Sequence, residues 1–564
     1  MSFNDYTYVR PNFEVIAGKF EAILEKFKSA GTGAEQSQLM TEINMVRNDL
    51  DTMVNLCYIR HSIDTTNEFY QTEQDFIDEL EPEVEGLVHK YYEALVYSPF
   101  RSELEEKWGS QLFALATAQL KTFSPDVVPL LQKENKLATE YTKLTASAKI
   151  MFQGEERTLA QLAPFAEDKD REMRKKASKS RFGFFAEHEE QFDRIFDDLV
   201  QVRTEIAHKL GFNNFVELAY FRMDRTDYNA EMVAAFRKQI EKYIVPAATK
   251  LKERQRQRIG VEELKYYDEP FEYKTGNAVP KGDPEWILEK GEKMYEELSE
   301  ETGKFFRFMR QNNLMDLAAK KGKAGGGYCT FIENYKVPFI FSNFNGTAGD
   351  IDVLTHEAGH AFQVYSSAHF DTPEYYWPTY EAAEIHSMSM EFFTWPWMKL
   401  FFKEDTDKYK FTHLSSGLQF LPYGVLVDEF QHWVYEHPSA TPEERKGKWS
   451  EMEKTYLPHV DYDGNAYLEK GGFWQRQSHI YTSPFYYIDY TLAQICAFQF
   501  WKKSRENHSN AWNDYIKLCK LGGSMSFTEL VKAADLMSPF EAGCVESVIG
   551  EIQTWLDSVD DREL

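Results

Sequence analysis

The residues best suited to chemistry are His356 and His360, set four apart in the run His356-Glu357-Ala358-Gly359-His360. On a helix, positions i and i+4 share a face, so two imidazoles at that spacing can converge on one Zn²⁺. The flanking residues carry a helical pattern: Ile351, Leu354, Ala358, Ala361, Phe362 and Tyr365 form an apolar stripe. Asp350 or Asp352 suits the start of that helix. Glu357, one step round, can reach a water in the metal's open position and act as general base. Two histidines leave a zinc site short of a third protein ligand. The HExxHxxGxxH continuation is excluded, because Gln363 and Ser366 stand where its Gly and last His would be. The remaining common solution is a Glu from a following helix. The stretch from about Thr379 to Thr394 supplies one, with Glu381, Glu384 and Glu391. Of its residues, Glu384, Ser387 and Glu391 share a face at i, i+3 and i+7.

An HEAGH run followed 24 residues after its second His by a Glu in an ExxSxxxE pattern resembles the thimet-type oligopeptidases, peptidase family M3. The wording VLTHEAGHAF is similar to the oligoendopeptidase F and Pz-peptidase branch. The resemblance implies His356, His360 and Glu384 as ligands of one zinc ion per chain, Glu357 as general base, and Glu391 as the carboxylate that orients a ligand imidazole. Asp352 is a weaker candidate for that orienting role, and a helix cap is its simpler reading. The segment Arg476–Ile495 resembles the family's C-terminal block, in which a His and several tyrosines face the metal. His479 and Tyr490 map onto that set; the middle tyrosine is either Tyr486 or Tyr487, according to whether one counts back four or three. His386, two residues from Glu384, points away from it and reads as a packing or cleft residue.

The elements that must position these groups are mostly helical. From Pro11 to about Ala146 apolar residues recur at three- and four-residue spacing, as with Phe13, Ile16, Phe20, Ile23, Leu24 and Phe27. Ile150–Phe152 and Arg157–Leu159 can pair as a hairpin around Gln153-Gly154-Glu155. Helical periodicity resumes to about Arg258, and Glu285–Asn312 reads as one further helix. Lys320–Asp350 differs, with Gly325, Gly326 and Gly327 in succession and an apparent strand over Val337–Gly346. No GxxxxGK[ST] pattern follows, so phosphate binding is disfavoured. A plain hairpin explains the segment; so does a small sheet whose Gly325–Gly327 edge and Tyr335–Asn343 strand bind a substrate main chain by strand addition.

The 564 residues carry 64 Lys and Arg against 91 Asp and Glu, a formal charge of −27 that repels nucleic acid and anionic membranes. Aromatic residues at 15% argue against disorder. The five scattered cysteines form no CxxC pair, which fits a reducing compartment; with no signal-peptide pattern and no long apolar run, the expected location is the cytoplasm. The resemblance implies a mainly α fold, two helical lobes around a deep substrate channel with a small β-sheet next to the zinc-binding helices. The expected division is an N-terminal helical region over 1–190 and a zinc peptidase catalytic domain over 191–564. The function so implied is a zinc metalloendopeptidase that hydrolyses internal bonds of short, unfolded oligopeptides, with a tyrosine or His479 stabilising the oxyanion. A zinc exopeptidase (aminopeptidase or dipeptidyl carboxypeptidase) is the alternative, and a non-catalytic helical peptide-binding protein the remote one. No partner other than peptide is expected, and the oligomeric state is not readable.

Overall fold

The computed structural model describes residues 1–320 and 322–564, apart from the side chains of Asp78, Pro82, Ala146 and Ala160. The chain is mainly α-helical, with two small sheets. Its main core draws on residues from Phe3 to Leu556. A second core lies within Phe20–Ala116 and receives Tyr375 from far along the chain. The Tyr375 hydroxyl accepts the Leu112 N–H at 2.9 Å, which ties this N-terminal unit to the rest. Among the described residues no helix is long and apolar enough to cross a membrane.

Four helices and one sheet frame the site. Helix α1 (Gly349–Ser367) carries the HExxH residues and α2 (Tyr380–Phe393) carries Glu384 and Glu391. Helix α3 (Thr406–Glu436) and α4 (Tyr487–Leu521) pack around them. Gly359 explains how α1 and α2 come so close: a Cβ there would lie 2.6 Å from His386 O and 2.7 Å from Ser387 Cα. Only hydrogen fits at that crossing. Asp350 does not cap α1 in the usual way. Its carboxylate instead accepts the Asn345 and Gly346 N–H groups, both at 2.8 Å, and so fastens the turn that feeds the helix. Asp352 is no cap either; it lies half-buried in α1's first turn and accepts the Tyr409 hydroxyl of α3 at 2.6 Å.

Strands β1 (Ile150–Phe152) and β2 (Glu155–Arg157) form the expected hairpin, with β2 starting two residues earlier than the sequence suggested. The reason is a two-residue turn at Gln153-Gly154, both at positive φ, which sets the register at Phe152 opposite Glu155. The single helix expected over Glu285–Asn312 is two, Pro284–Leu298 and Glu300–Gln311. Ser299 breaks it, with an extended backbone and a side chain that caps the Thr302 N–H.

The second sheet has the order β3-β5-β4, with β3 (Met315–Ala318) parallel and β4 (Tyr328–Ile332) antiparallel to the central β5 (Val337–Phe344). The strand over Tyr335–Asn343 is therefore the wrong one for strand addition, since both edges of β5 are occupied. The edge strands are β3 and β4, and β4 is the one that directly follows Gly325–Gly327. Ile340 donates its N–H to Leu314 O on the β3 side, so Cys329, its partner on the other side, turns its own N–H and C=O outward.

Candidate metal centre

Helix geometry brings His356 and His360 onto one face of α1, and the Gly359 crossing sets Glu384 of α2 opposite them. Glu384 Oε2 lies 3.3 Å from His356 Nε2 and 3.5 Å from His360 Nε2. Metal–ligand bonds of about 2.05 Å at tetrahedral angles place ligand atoms ~3.3 Å apart, so this donor set fits zinc in both chemistry and spacing. No other cluster of three or more metal-ligating groups occurs among the described residues. Hydrogen bonds to Glu384 and Glu391 hold His356 well above the usual imidazole range although burial opposes its charge. A pocket that draws a proton onto a half-buried imidazole is one that attracts a cation.

Glu384 and His356 are held from behind. Glu384 accepts Ser387 Oγ–H on Oε2 and the Tyr486 hydroxyl on Oε1, both at 2.9 Å. Glu391, seven residues on, bonds His356 Nδ1 at 2.7 Å through Oε1 and His413 Nε2 at 2.7 Å through Oε2. Trp395 Nε1–H donates to His413 Nδ1 at 3.2 Å. An indole N–H can only donate, so His413 keeps its proton on Nε2, where Glu391 receives it. His413 escaped the sequence reading because it stands nineteen residues from the other histidine of its helix, His432, and forms no motif with it.

Glu357 is buried beside the ligands, and burial raises its carboxyl above the ordinary value against the pull of His356 and His360. It lies on the wall of a cavity of about 730 Å³ with both histidines, Glu384, Tyr486 and Tyr490. Gly327, Tyr328 and Cys329 of the sheet edge face the same space. A Cβ on Gly327 would stand 3.6 Å from Glu357 Oε1. Gly325 and Gly326 do not line it; Gly326 O instead accepts Asn343 Nδ2, a bond that shapes the loop.

A neighbouring chamber of about 710 Å³ is lined by Glu391, His413, Gln477, His479, Tyr487 and Tyr490, among others. Tyr490 thus borders both spaces. Tyr486 reaches Glu384, whereas Tyr487 packs edge-on against Tyr423 with ring centres 5.8 Å apart. Counting by helical periodicity could not separate them because α4 begins at Tyr487 and Tyr486 precedes it. His479 lies 5.9 Å from the rings of both Tyr486 and Tyr490. A relay that sequence reasoning missed fixes its protonation. The Tyr423 hydroxyl donates to Gln477 Oε1 and Gln477 Nε2 donates to His479 Nδ1, each at 2.8 Å. His479 therefore carries its proton on Nε2, and burial lowers its tendency to take a second. His386 is fully buried, bonds Ala382 O through Nδ1 at 2.8 Å and is drawn down to about 4 by burial; it packs the core and neither ligates nor lines the cleft.

Comparison with known proteins agrees with this geometry. The model of the peptidase M3 N-terminal domain matches residues 3–123, and that of peptidase family M3 matches residues 289–548, which include every group just described. The chain belongs to peptidase family M3. It is a metallopeptidase. A solved structure of Pz peptidase A with an inhibitor is 69% identical over the whole of both chains, with a TM-score of 0.95. A structure from Bacillus anthracis strain Ames, provisionally assigned as an oligoendopeptidase F, is 63% identical over 100% of this chain and 99% of that one, with a TM-score of 0.91. Among curated proteins an oligoendopeptidase F homologue of Borreliella burgdorferi is 28% identical over 280 residues, 48% of this chain and 46% of that relative.

Proposed function

We propose that this M3 peptidase is a zinc-dependent endopeptidase that cuts internal bonds of short, unfolded oligopeptides. The observation that carries the reading is the convergence of His356, His360 and Glu384 beside a buried Glu357, in a cavity that the open edge of β4 also borders. His356, His360 and Glu384 would hold zinc, which when bound would supply Lewis acidity toward a water and the scissile carbonyl. Glu357 accepts the proton of that water and returns it to the leaving amine. Its raised affinity for protons suits both halves of that task. His479 Nε2–H and the Tyr490 hydroxyl are the donors for charge developing on the carbonyl oxygen, while Tyr486, whose hydroxyl proton is given to Glu384, holds that carboxylate in place. Glu391 and His413 keep the His356 ring in register.

The outward N–H and C=O of Cys329 offer main-chain pairing to a peptide laid along β4. Recognition of backbone rather than side chains supports a broad choice of sequence. Five scattered cysteines with no CxxC pair among them support a reducing, cytoplasmic setting.

The test is product analysis by mass spectrometry on one peptide prepared with free ends and with both ends blocked. An endopeptidase cuts both at internal bonds. Removal of one or two residues from the free-ended peptide, with the blocked one left intact, gives the exopeptidase instead.

A further inference from the structure

Beside the chamber that His479 and Tyr490 line, a hollow of about 530 Å³ shares Asn277, Thr412, Ser416 and Phe420 with it. Arg181, on the helix Arg171–Glu187, and Arg476, directly before Gln477, both line the hollow. Buried arginines elsewhere in this fold are matched: Arg174 has Asp268 at 2.8 Å, Arg203 has Glu134 at 2.7 Å and Arg225 has Asp489 at 2.7 Å. Among the described residues, Arg181 and Arg476 have no carboxylate within 4.0 Å. Nε of each is buried without a hydrogen-bond partner.

The acids on the same wall are already engaged. Glu269 faces Lys252 at 3.4 Å, and Glu272 pairs with Arg258. Arg476 rests over the rings of Phe473 and Tyr423, 4.1 and 5.5 Å from their centres, which holds a guanidinium without neutralising it. Burial, then the like charge of Arg476, draws Arg181 down to about 10. Two cations with no direct carboxylate partner, kept together in a partly buried hollow where Arg476 shares the charge of Glu269 with Lys252 and His459, are costly unless an anion joins them. Ala163, Phe182 and Val460 line the rest of the wall, so the space also gives apolar cover to part of a peptide.

We propose that Arg181 and Arg476 form a carboxylate-binding subsite off the catalytic cleft, which receives the free C-terminal carboxylate or an acidic side chain of a bound peptide. The planar fork of a guanidinium matches a carboxylate in two parallel hydrogen bonds, and a pair of them encloses it. The inference rests on the peptidase reading above, because continuity with the His479 chamber is what makes peptide the ligand.

The experiment uses three quenched peptides of one sequence with the zinc-loaded enzyme: a free C-terminal acid, its amide, and the amide with one Gln replaced by Glu. A charge-assisted hydrogen bond of ordinary strength gives about a tenfold or larger gain in kcat/KM, expressed in KM. The expected result is that gain for the acid over the amide, falling to about one in Arg181→Gln and Arg476→Gln proteins whose thermal unfolding shows them folded. A gain seen only for the Glu-bearing amide supports the subsite and assigns the carboxylate to a side chain. Ratios of one for both exchanges in the wild type, or unchanged ratios in both variants, overturn it. Calorimetry with the Glu357→Gln protein separates the two readings. Tighter binding of the acid without cleavage by the wild type fails the peptidase and leaves the subsite; cleavage without discrimination fails the subsite alone.

Discussion

At the scale of single residues, the account turns on where protons are held. The Tyr423–Gln477–His479 relay predicts that Gln477→Glu, whose carboxylate accepts from Nδ1–H and so moves the imidazole's proton off Nε2, lowers kcat about tenfold or more. Zinc content should not change, and steady-state kinetics alongside metal analysis checks both; a parallel loss of zinc would make the effect structural. Behind the metal, His413→Leu leaves Glu391 Oε2 without its imidazole donor. Removing a group that orients a metal ligand costs about ten- to a hundredfold in metal affinity, which competition with a chelator would measure. The meeting of His356, His360 and Glu384 was legible because HExxH is written in consecutive residues, and Glu384, Ser387 and Glu391 repeat on one helical face. His413, Gln477 and Tyr423 were not. Each acts on a group of another element, or one flanking α4, so their roles depend on how α3 lies against α2 and α4 and on no local pattern.

At the scale of elements, the α1–α2 crossing makes the site. Gly359 stands where a Cβ meets backbone atoms of α2, and backbone cannot swing aside as a side chain can. Gly359→Ala is therefore expected to cost about 1–3 kcal/mol in stability and to spread His360 from Glu384. A lowered thermal midpoint together with weakened zinc binding is the expected pair of results; an unchanged midpoint with full zinc would contradict the packing argument. The motif gave the ligand spacing, while the glycine between the histidines carries the helix contact. Sequence reading recovered α1, α2 and β5 nearly to their ends, because each has a strong apolar period or run. It missed β3, a strand of four residues whose pairing with β5 joins distant parts of the chain. Without β3, nothing showed that β5 was central and that β4 held an open edge.

At the scale of the whole molecule, the acidic chain and its buried carboxyls set how stability responds to pH. Burial, then the charge of Asp51, raises Glu333 to about 8, and burial raises Asp51 itself to about 6. A carboxyl with a folded value above its unfolded one binds a proton on folding. Its contribution is most favourable at and below the unfolded value and declines as pH rises through the folded one. Thermal unfolding midpoints should therefore rise between pH 8 and pH 5, in part through Glu333, and Glu333→Gln should flatten that slope. Equal slopes for the two proteins would contradict the assignment. Composition and period gave a helical chain with a large core, and the family resemblance gave the expectation of a metal. Neither gave the adjoining chambers or the arginine-lined hollow, which exist only where distant segments meet. The central claim, a zinc peptidase with Glu357 as its base, is tested most directly by one comparison. Wild type and Glu357→Gln are assayed for zinc and for cleavage of an internally quenched peptide blocked at both ends. The account predicts about one zinc per chain in both proteins, internal cleavage by the wild type, and a loss in kcat of at least about a hundredfold in the variant. A wild type that neither holds zinc nor cleaves, or a variant that keeps zinc and the full rate, would contradict it.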